Sequence, residues 1–215
     1  MTRLLVLLDV DGTLFLTHDP LAGIALRETL EPLYGVELPE DALERVDHAG
    51  QSSLRIARLV LREAGLSDDE ITPRLAAWCA RFATRYCDLL VAADTSGWQA
   101  APDAAASLEQ LRAAGNSLVL LTGNPEPMAR ARMERLGLER FFPLGQGAFG
   151  CDAESRTALI GIARNRAGDW PAEATVEIGD TSIDVTSAAE AGVRSILVDE
   201  SGFSGAVSRL LASPA

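Results

Sequence analysis

Residues 1–15 read MTRLLVLLDVDGTLF, and this stretch decides the fold. Leu4, Leu5, Val6, Leu7 and Leu8 follow one another without polar alternation, the pattern of a strand covered on both faces, as in a parallel sheet. The run stops at two carboxylates, Asp9 and Asp11, followed by Gly12 and Thr13. In open α/β sheets the ligand crevice lies just beyond the carboxyl ends of the strands, so acids at this point are held over it by a rigid core. Gly12 permits a tight turn there, and Thr13 can bond the freed amides. One Asp after a strand is usually part of a turn; the combination of four residues in a window of five points to a site.

The 215 residues suffice for one sizeable domain, or for a core with a smaller insertion. With 47% hydrophobic residues and a mean hydropathy of +0.10, a soluble globular chain is expected. A formal charge of -12 and a pI near 4.6 argue against nucleic acid or an anionic membrane as partner, since both would be repelled. An anionic substrate must then be held by local charge. All 19 cationic residues are Arg, because the sequence contains no Lys. Cys79, Cys87 and Cys151 are too few and too scattered for a disulfide framework or a zinc site and are expected as reduced thiols. The N-terminal apolar run is interrupted by Asp9 and lacks a small-residue cleavage site, so it does not read as a signal peptide. No stretch approaches membrane-spanning length, and a cytoplasmic enzyme is expected.

From Leu21 to about Ala93 the periodicity is helical throughout. Within it, Leu54, Ala57, Arg58 and Leu61 follow the three-and-four spacing of one helix face. After the break at Thr95-Ser96-Gly97 the pattern changes to alternating helices and short apolar strands, the signature of a doubly wound (Rossmann-like) parallel sheet. The first strand belongs to that sheet by composition. The helical block is therefore read as an insertion after strand one: residues 1–14 and 98–215 form an α/β core, residues 15–97 a helical cap. The connections around 15–19 and 93–101 are candidate hinges.

Two more strand ends carry polar groups. SLVLLTGN ends at Thr122-Gly123-Asn124, and VEIGD ends at Gly179-Asp180, with Asp184 four residues on. Asp180 is also a credible N-cap for a helix running through Val185 to Ala191. Asp180 and Asp184 can face the crevice that holds Asp9, and three carboxylates so placed repel one another unless a cation lies between them. Ligands that are all oxygen select a hard divalent ion such as magnesium, completed by water and substrate phosphate.

Asp9-Val10-Asp11-Gly12-Thr13, Thr122-Gly123-Asn124, and Gly179-Asp180 with Asp184 resemble the first, second and fourth motifs of the haloacid dehalogenase-like hydrolase superfamily. The helical block stands where that superfamily inserts its mobile cap, in the manner of phosphoglycolate phosphatase-like members. The resemblance implies a third motif, a Lys or Arg that steadies nucleophile and phosphate. Arg156, Arg164 and Arg166 are the candidates, and Arg156 has the position the family favours, about two dozen residues ahead of Asp180. An Arg there offers a planar fork suited to carboxylate and phosphate together. The resemblance further implies a magnesium-dependent phosphatase acting on a small phosphorylated metabolite. Asp9 would attack phosphorus to give an aspartyl-phosphate, Asp11 would act as acid and then base, and Thr122 with Gly12, Gly123 and Asn124 would hold the phosphoryl oxygens. Magnesium would be bound by Asp9, the Asp11 carbonyl and Asp180, with Asp184 acting through water or Arg156.

Rival readings differ in single residues. A haloacid dehalogenase does not need Asp11, and a phosphonate hydrolase of this superfamily needs a cap Lys that this sequence lacks. A receiver domain relies on a late Lys and has no long helical insertion. A sugar-phosphate mutase shares all four motifs and stays open, while a silent phospho-ligand-binding protein is expected to have lost a motif acid. The segment HAGQSSLR is similar to a cap segment of phosphoglycolate phosphatase-like members, but Gly50 is followed by Gln51, Ser52 and Ser53, where that pattern has a basic residue, Thr and Asp. His48, Gln51, Ser52 and Arg55 are candidates to face the core site, with His48 and Gln51 expected at the substrate.

Overall fold

The computed structural model describes residues 3–212. Four parallel strands, β1 (Leu5–Leu8), β2 (Ser117–Leu120), β3 (Thr175–Gly179) and β4 (Arg194–Leu197), form one sheet in the order β2-β1-β3-β4. The chain leaves β1 for β2 on one side, then crosses to β3 on the other, so β1 stands at the topological switch point where an α/β sheet opens its crevice. Each residue of β1 is fully buried. Val6 and Leu8 pack with Leu108, Leu111, Phe203 and Val207 on one face, and Leu5 and Leu7 with Leu159, Ile160 and Ala163 on the other. Those partners come from α4 (Ala104–Ala113) and α8 (Gly202–Ala212) on the first face and from α6 (Arg156–Arg166) on the second. Two covered faces are why the first strand carries no polar alternation; each such side chain contributes roughly 1.5–3 kcal/mol by leaving water.

Between β1 and α4 lie α1 (Pro20–Tyr34), α2 (Ser53–Glu63) and α3 (Asp68–Val91), with a core of their own around Leu30, Leu61, Ile71, Trp78, Phe82 and Tyr86. The expectation of unbroken helical periodicity fails between α1 and α2. Gly35 ends α1 in the left-handed conformation, at φ 67°, and residues 36–52 run as turns and irregular chain. The two remaining helices are α5 (Glu126–Arg135) and α7 (Ser182–Glu190).

The helical block is fastened to the sheet along one edge. The Ser53 and Leu54 amides at the start of α2 donate to the carbonyls of Gly123 and Gly150, at 2.8 and 3.2 Å. Arg58, nearly buried, pairs with Glu154 at 2.6 Å and Asp68 at 2.8 Å. Cys79 of α3 is disulfide-bonded to Cys151 beyond β2, which corrects the reading of these cysteines as reduced thiols. A separation of 72 residues gave no hint of the pairing, yet the fold brings the two Cα atoms to 5.8 Å. Cys87 alone among the three is a free thiol.

A cross-link closing so long a loop restricts the unfolded chain by up to about 4 kcal/mol. Unfolding in denaturant should show a lower midpoint with reductant than without, and Cys151→Ser should lie at the reduced value whether reductant is present or not. Coincident curves for oxidised and reduced protein would show that the bond carries no stability.

Candidate active site

The buried strand β1 delivers Asp9 to its carboxyl end, where the Asp9 amide still donates to the Ile178 carbonyl at 3.0 Å. The chain then turns sharply: the amides of Leu14 and Phe15 both return to the Val10 carbonyl at 2.8 Å, with Gly12 at φ 76°. A Cβ on Gly12 would lie 2.1 Å from Asp180 Oδ2, so glycine serves both the turn and the approach of the next carboxylate. Asp9 is nearly buried, whereas Asp11 is exposed at the mouth.

At the end of β3 the local logic differs from the sequence reading in one respect. Thr181, not Asp180, caps α7: Asp184 Oδ2 accepts from the Thr181 amide and hydroxyl at 2.8 Å each, and the Thr181 hydroxyl accepts from the Asp184 amide at 3.3 Å. This reciprocal cap starts the helix three residues before Val185 and releases Asp180 to the crevice, where Thr13 Oγ1 donates to it at 3.3 Å. Carboxylate oxygens of Asp9, Asp180 and Asp184 all lie within 4.8 Å of one another.

Arg156 opens α6 directly after its N-cap Ser155 and is nearly buried. Its guanidinium reaches three acids: Nη2 to Asp9 Oδ1 at 3.1 Å, Nε to Glu177 Oε1 at 3.0 Å, and Nε to Asp184 Oδ1 at 2.6 Å, the last out of line for a hydrogen bond. Arg164 and Arg166 are used elsewhere, on the Trp170 carbonyl and on Asp152. Glu177 was not anticipated. It lies fully buried in mid-strand, and the signal was visible as one charged letter inside the apolar run TVEIG. Burial, then the Asp184 charge, pushes its carboxyl up to about 7 against the pull of Arg156. Burial likewise raises Asp9 well above the usual carboxylate range; Arg156 opposes this, and Asp184, Asp11 and Asp180 add to it. Asp180 is raised by burial and by Asp184.

One guanidinium among four carboxylates leaves negative charge over. Glu177 Oε2 and Asp184 Oδ1 are buried without a hydrogen-bond partner. An excess of hard oxygen donors at a strand end fits a divalent cation such as magnesium.

Asp11 is held at both oxygens. Arg132 Nη1 donates to Oδ1 at 2.6 Å, and Asn124 Nδ2 donates to Oδ2 while also contacting Thr122 Oγ1 at 3.1 Å. Thr122, expected at the site, is buried directly behind this pair. Arg132 is a second residue that the sequence reading missed. It is buried on α5, pairs with Asp19 at 2.8 Å, and lies over the ring of Phe15 at 4.8 Å, while Tyr86 donates to the same Asp19 carboxylate at 2.6 Å. Its position four residues after Met128, on the buried face with Ala129 and Met133, set it apart from Arg130 and Arg135.

These groups open into one cavity of about 780 Å³ between the sheet edge and the helical block. Asp9, Asp11, Thr122, Gly123, Asn124 and Arg156 line it from below, and His48 and Gln51 line it from the block. His48 directs Nδ1 to the carbonyls of Leu43 and Val46, both at 3.2 Å. Gly123 is packed under the block as well, since a Cβ there would lie 2.0 Å from the Gln51 carbonyl oxygen. Ser52 caps α2 and donates to the Glu154 carbonyl, and among the described residues neither it nor Arg55 lines the cavity.

No curated protein matches the chain. Among solved structures it is similar to CbbY from Rhodobacter sphaeroides in complex with phosphate, at a TM-score of 0.65 and 21% identity over 92% of this chain and 86% of that one. A mutant of the same CbbY in complex with xylulose-(1,5)bisphosphate gives 0.65 and 20% over the same shares. A predicted phosphoglycolate phosphatase from Haemophilus somnus 129pt gives 0.57 and 17%, over 91% of this chain and 85% of that one. At these identities the likeness is one of fold. Residues 4–192 match the family model of haloacid dehalogenase-like hydrolases, and the chain belongs to that family.

Proposed function

We propose that the protein is a magnesium-dependent phosphatase that hydrolyses a small phosphorylated metabolite through an aspartyl-phosphate on Asp9. The observation that carries this reading is the pairing of two acids with opposite settings, Asp9 buried against Arg156 and Asp11 exposed at the cavity mouth two residues later. Asp9 and Asp180, with the Asp11 carbonyl, would hold the metal, and Asp184 would act from behind through Arg156. Bound there, magnesium supplies positive charge to the transferring phosphoryl group and keeps Asp9 ionised.

The chain's own residues carry the rest. An Asp9 oxygen attacks phosphorus while Asp11 gives its proton to the leaving alkoxide, so ester oxygen departs as alcohol and phosphorus is bonded to Asp9. Asp11, now a carboxylate, takes a proton from water as that water attacks phosphorus, which releases phosphate and restores Asp9. Thr122 and the amides beside Gly12 and Gly123 stabilise the transferring oxygens, and Arg156 offsets their charge from a fixed position. Residues 15–97 act as a cap that closes over the leaving group with His48 and Gln51.

Phosphate release from a generic aryl phosphate should require magnesium and stop in chelator. Asp9→Asn should leave the fold intact and turnover below about one per cent of the parent's. Activity that survives either treatment contradicts the mechanism.

Removing Arg156 strips the cation from three buried acids. Arg156→Ala should lose about 2–4 kcal/mol of transition-state stabilisation, roughly a thirty- to thousandfold drop in kcat/KM, and Arg156→Lys should recover part of it. Arg164→Ala and Arg166→Ala should be close to the parent. Steady-state kinetics on the four variants decide the matter, and a collapse confined to a control would displace Arg156 from its role.

A further inference from the structure

The upper half of the cavity is chemically unlike its floor. Ile24, Leu26 and Leu43 line it from the helical block, Phe82 from α3, and Met128 from the sheet side, so a broad apolar wall stands beside the polar His48 and Gln51. The charges around it are the wrong sign for a second anion. Six carboxylates and three arginines line the cavity, and each of those arginines is already committed. Arg27 pairs with Glu31 and donates to the carbonyls of Leu38, Pro39 and Glu40. Arg132 is held by Asp11 and Asp19, and Arg156 by Asp9, Glu177 and Asp184. Meanwhile Glu28, Glu40 and Glu44 stand on the block's side of the opening.

From this contrast we infer that the substrate is the phosphate monoester of an uncharged, largely apolar alcohol, not a bisphosphate or a phosphorylated carboxylic acid. The inference rests on the phosphatase reading and adds the identity of the leaving group to it. A second phosphate or a carboxylate placed above Asp11 would meet glutamates and apolar walls with each lining arginine already paired, and the polar His18, His48 and Gln51 carry no fixed positive charge to offset its lost hydration. A two-carbon acid would also leave most of the 780 Å³ to water against Ile24 and Leu43. An alkyl or aryl group fills that space and gains by leaving water, in proportion to the apolar surface it covers.

The test is a set of leaving groups of similar reactivity. With magnesium present, phosphate release is measured for ethyl phosphate, n-hexyl phosphate, phosphoglycolate and xylulose-1,5-bisphosphate, each with the parent protein, Asp9→Asn, Ile24→Arg and Leu43→Arg. In the parent, kcat/KM should rise at least about tenfold from ethyl to hexyl phosphate, with both acidic substrates below ethyl phosphate. Ile24 is 43% exposed, so an arginine there should be tolerated. Ile24→Arg should erase most of the hexyl advantage and raise turnover of phosphoglycolate, and Leu43→Arg gives the same comparison should the first variant not fold. Asp9-dependent hydrolysis that is flat with chain length, or fastest on either acidic substrate, overturns the inference and leaves the phosphatase reading standing. No Asp9-dependent release from any of the four overturns both.

Discussion

A single guanidinium buried among acids is the constraint on which this molecule turns. Arg156 is fixed by Asp9 at the end of β1, Glu177 from β3 and Asp184 from the α7 that follows it, so the start of the chain and its β3–α7 unit must be in register before its charge is satisfied. Such a cluster is costly to bury and more costly to half-build, because an uncompensated ion in a dry interior is far worse than a pair. Its geometry therefore specifies where α6 starts relative to the sheet. The same charge balance leaves the crevice short of positive charge, and Asp9, Asp180 and Asp184 lie close enough together that they could hold a metal ion.

A second cluster performs a similar service at the mouth. Arg132 joins Asp11 to Asp19, the cap of α1, and to Tyr86 on α3, so the proposed acid–base group is tied to both ends of the inserted helices.

Much of the sheet and most of the acids were legible because a parallel strand writes itself as an unbroken apolar run and its polar terminus then stands out. Asp9, Thr122 and Asp180 each follow such a run, and Arg156 was placed by the position that the family resemblance implies for the third motif. What was not legible depended on contacts between segments. Glu177 in TVEIG and Arg132 on the Met128 face each left a faint mark in the sequence, but their partners come from the packing of β3 against α6 and of α5 against Phe15 and Tyr86. The cysteine pair carries no local pattern at all, since a disulfide is specified by where two helices and a loop meet. Asp180 as a helix cap was a sound local choice that Thr181 takes over because its hydroxyl and Asp184 satisfy each other reciprocally. The irregular chain over residues 36–52 was hidden by apolar residues that pack into the block without helical order.

The two separate hydrophobic cores have an evolutionary consequence. The acids hang from strands packed on both faces by clusters of the sheet and its own helices, while most of the cavity wall above them belongs to the block with its interior around Trp78 and Tyr86. Ile24 and Leu43 line the cavity and lie outside the clusters that pack β1 and β3, so substitutions there should reshape its wall and leave the strands and the Arg156 cluster in place. The wall of the cavity can thus vary from one such chain to another while the acids beneath it keep their places.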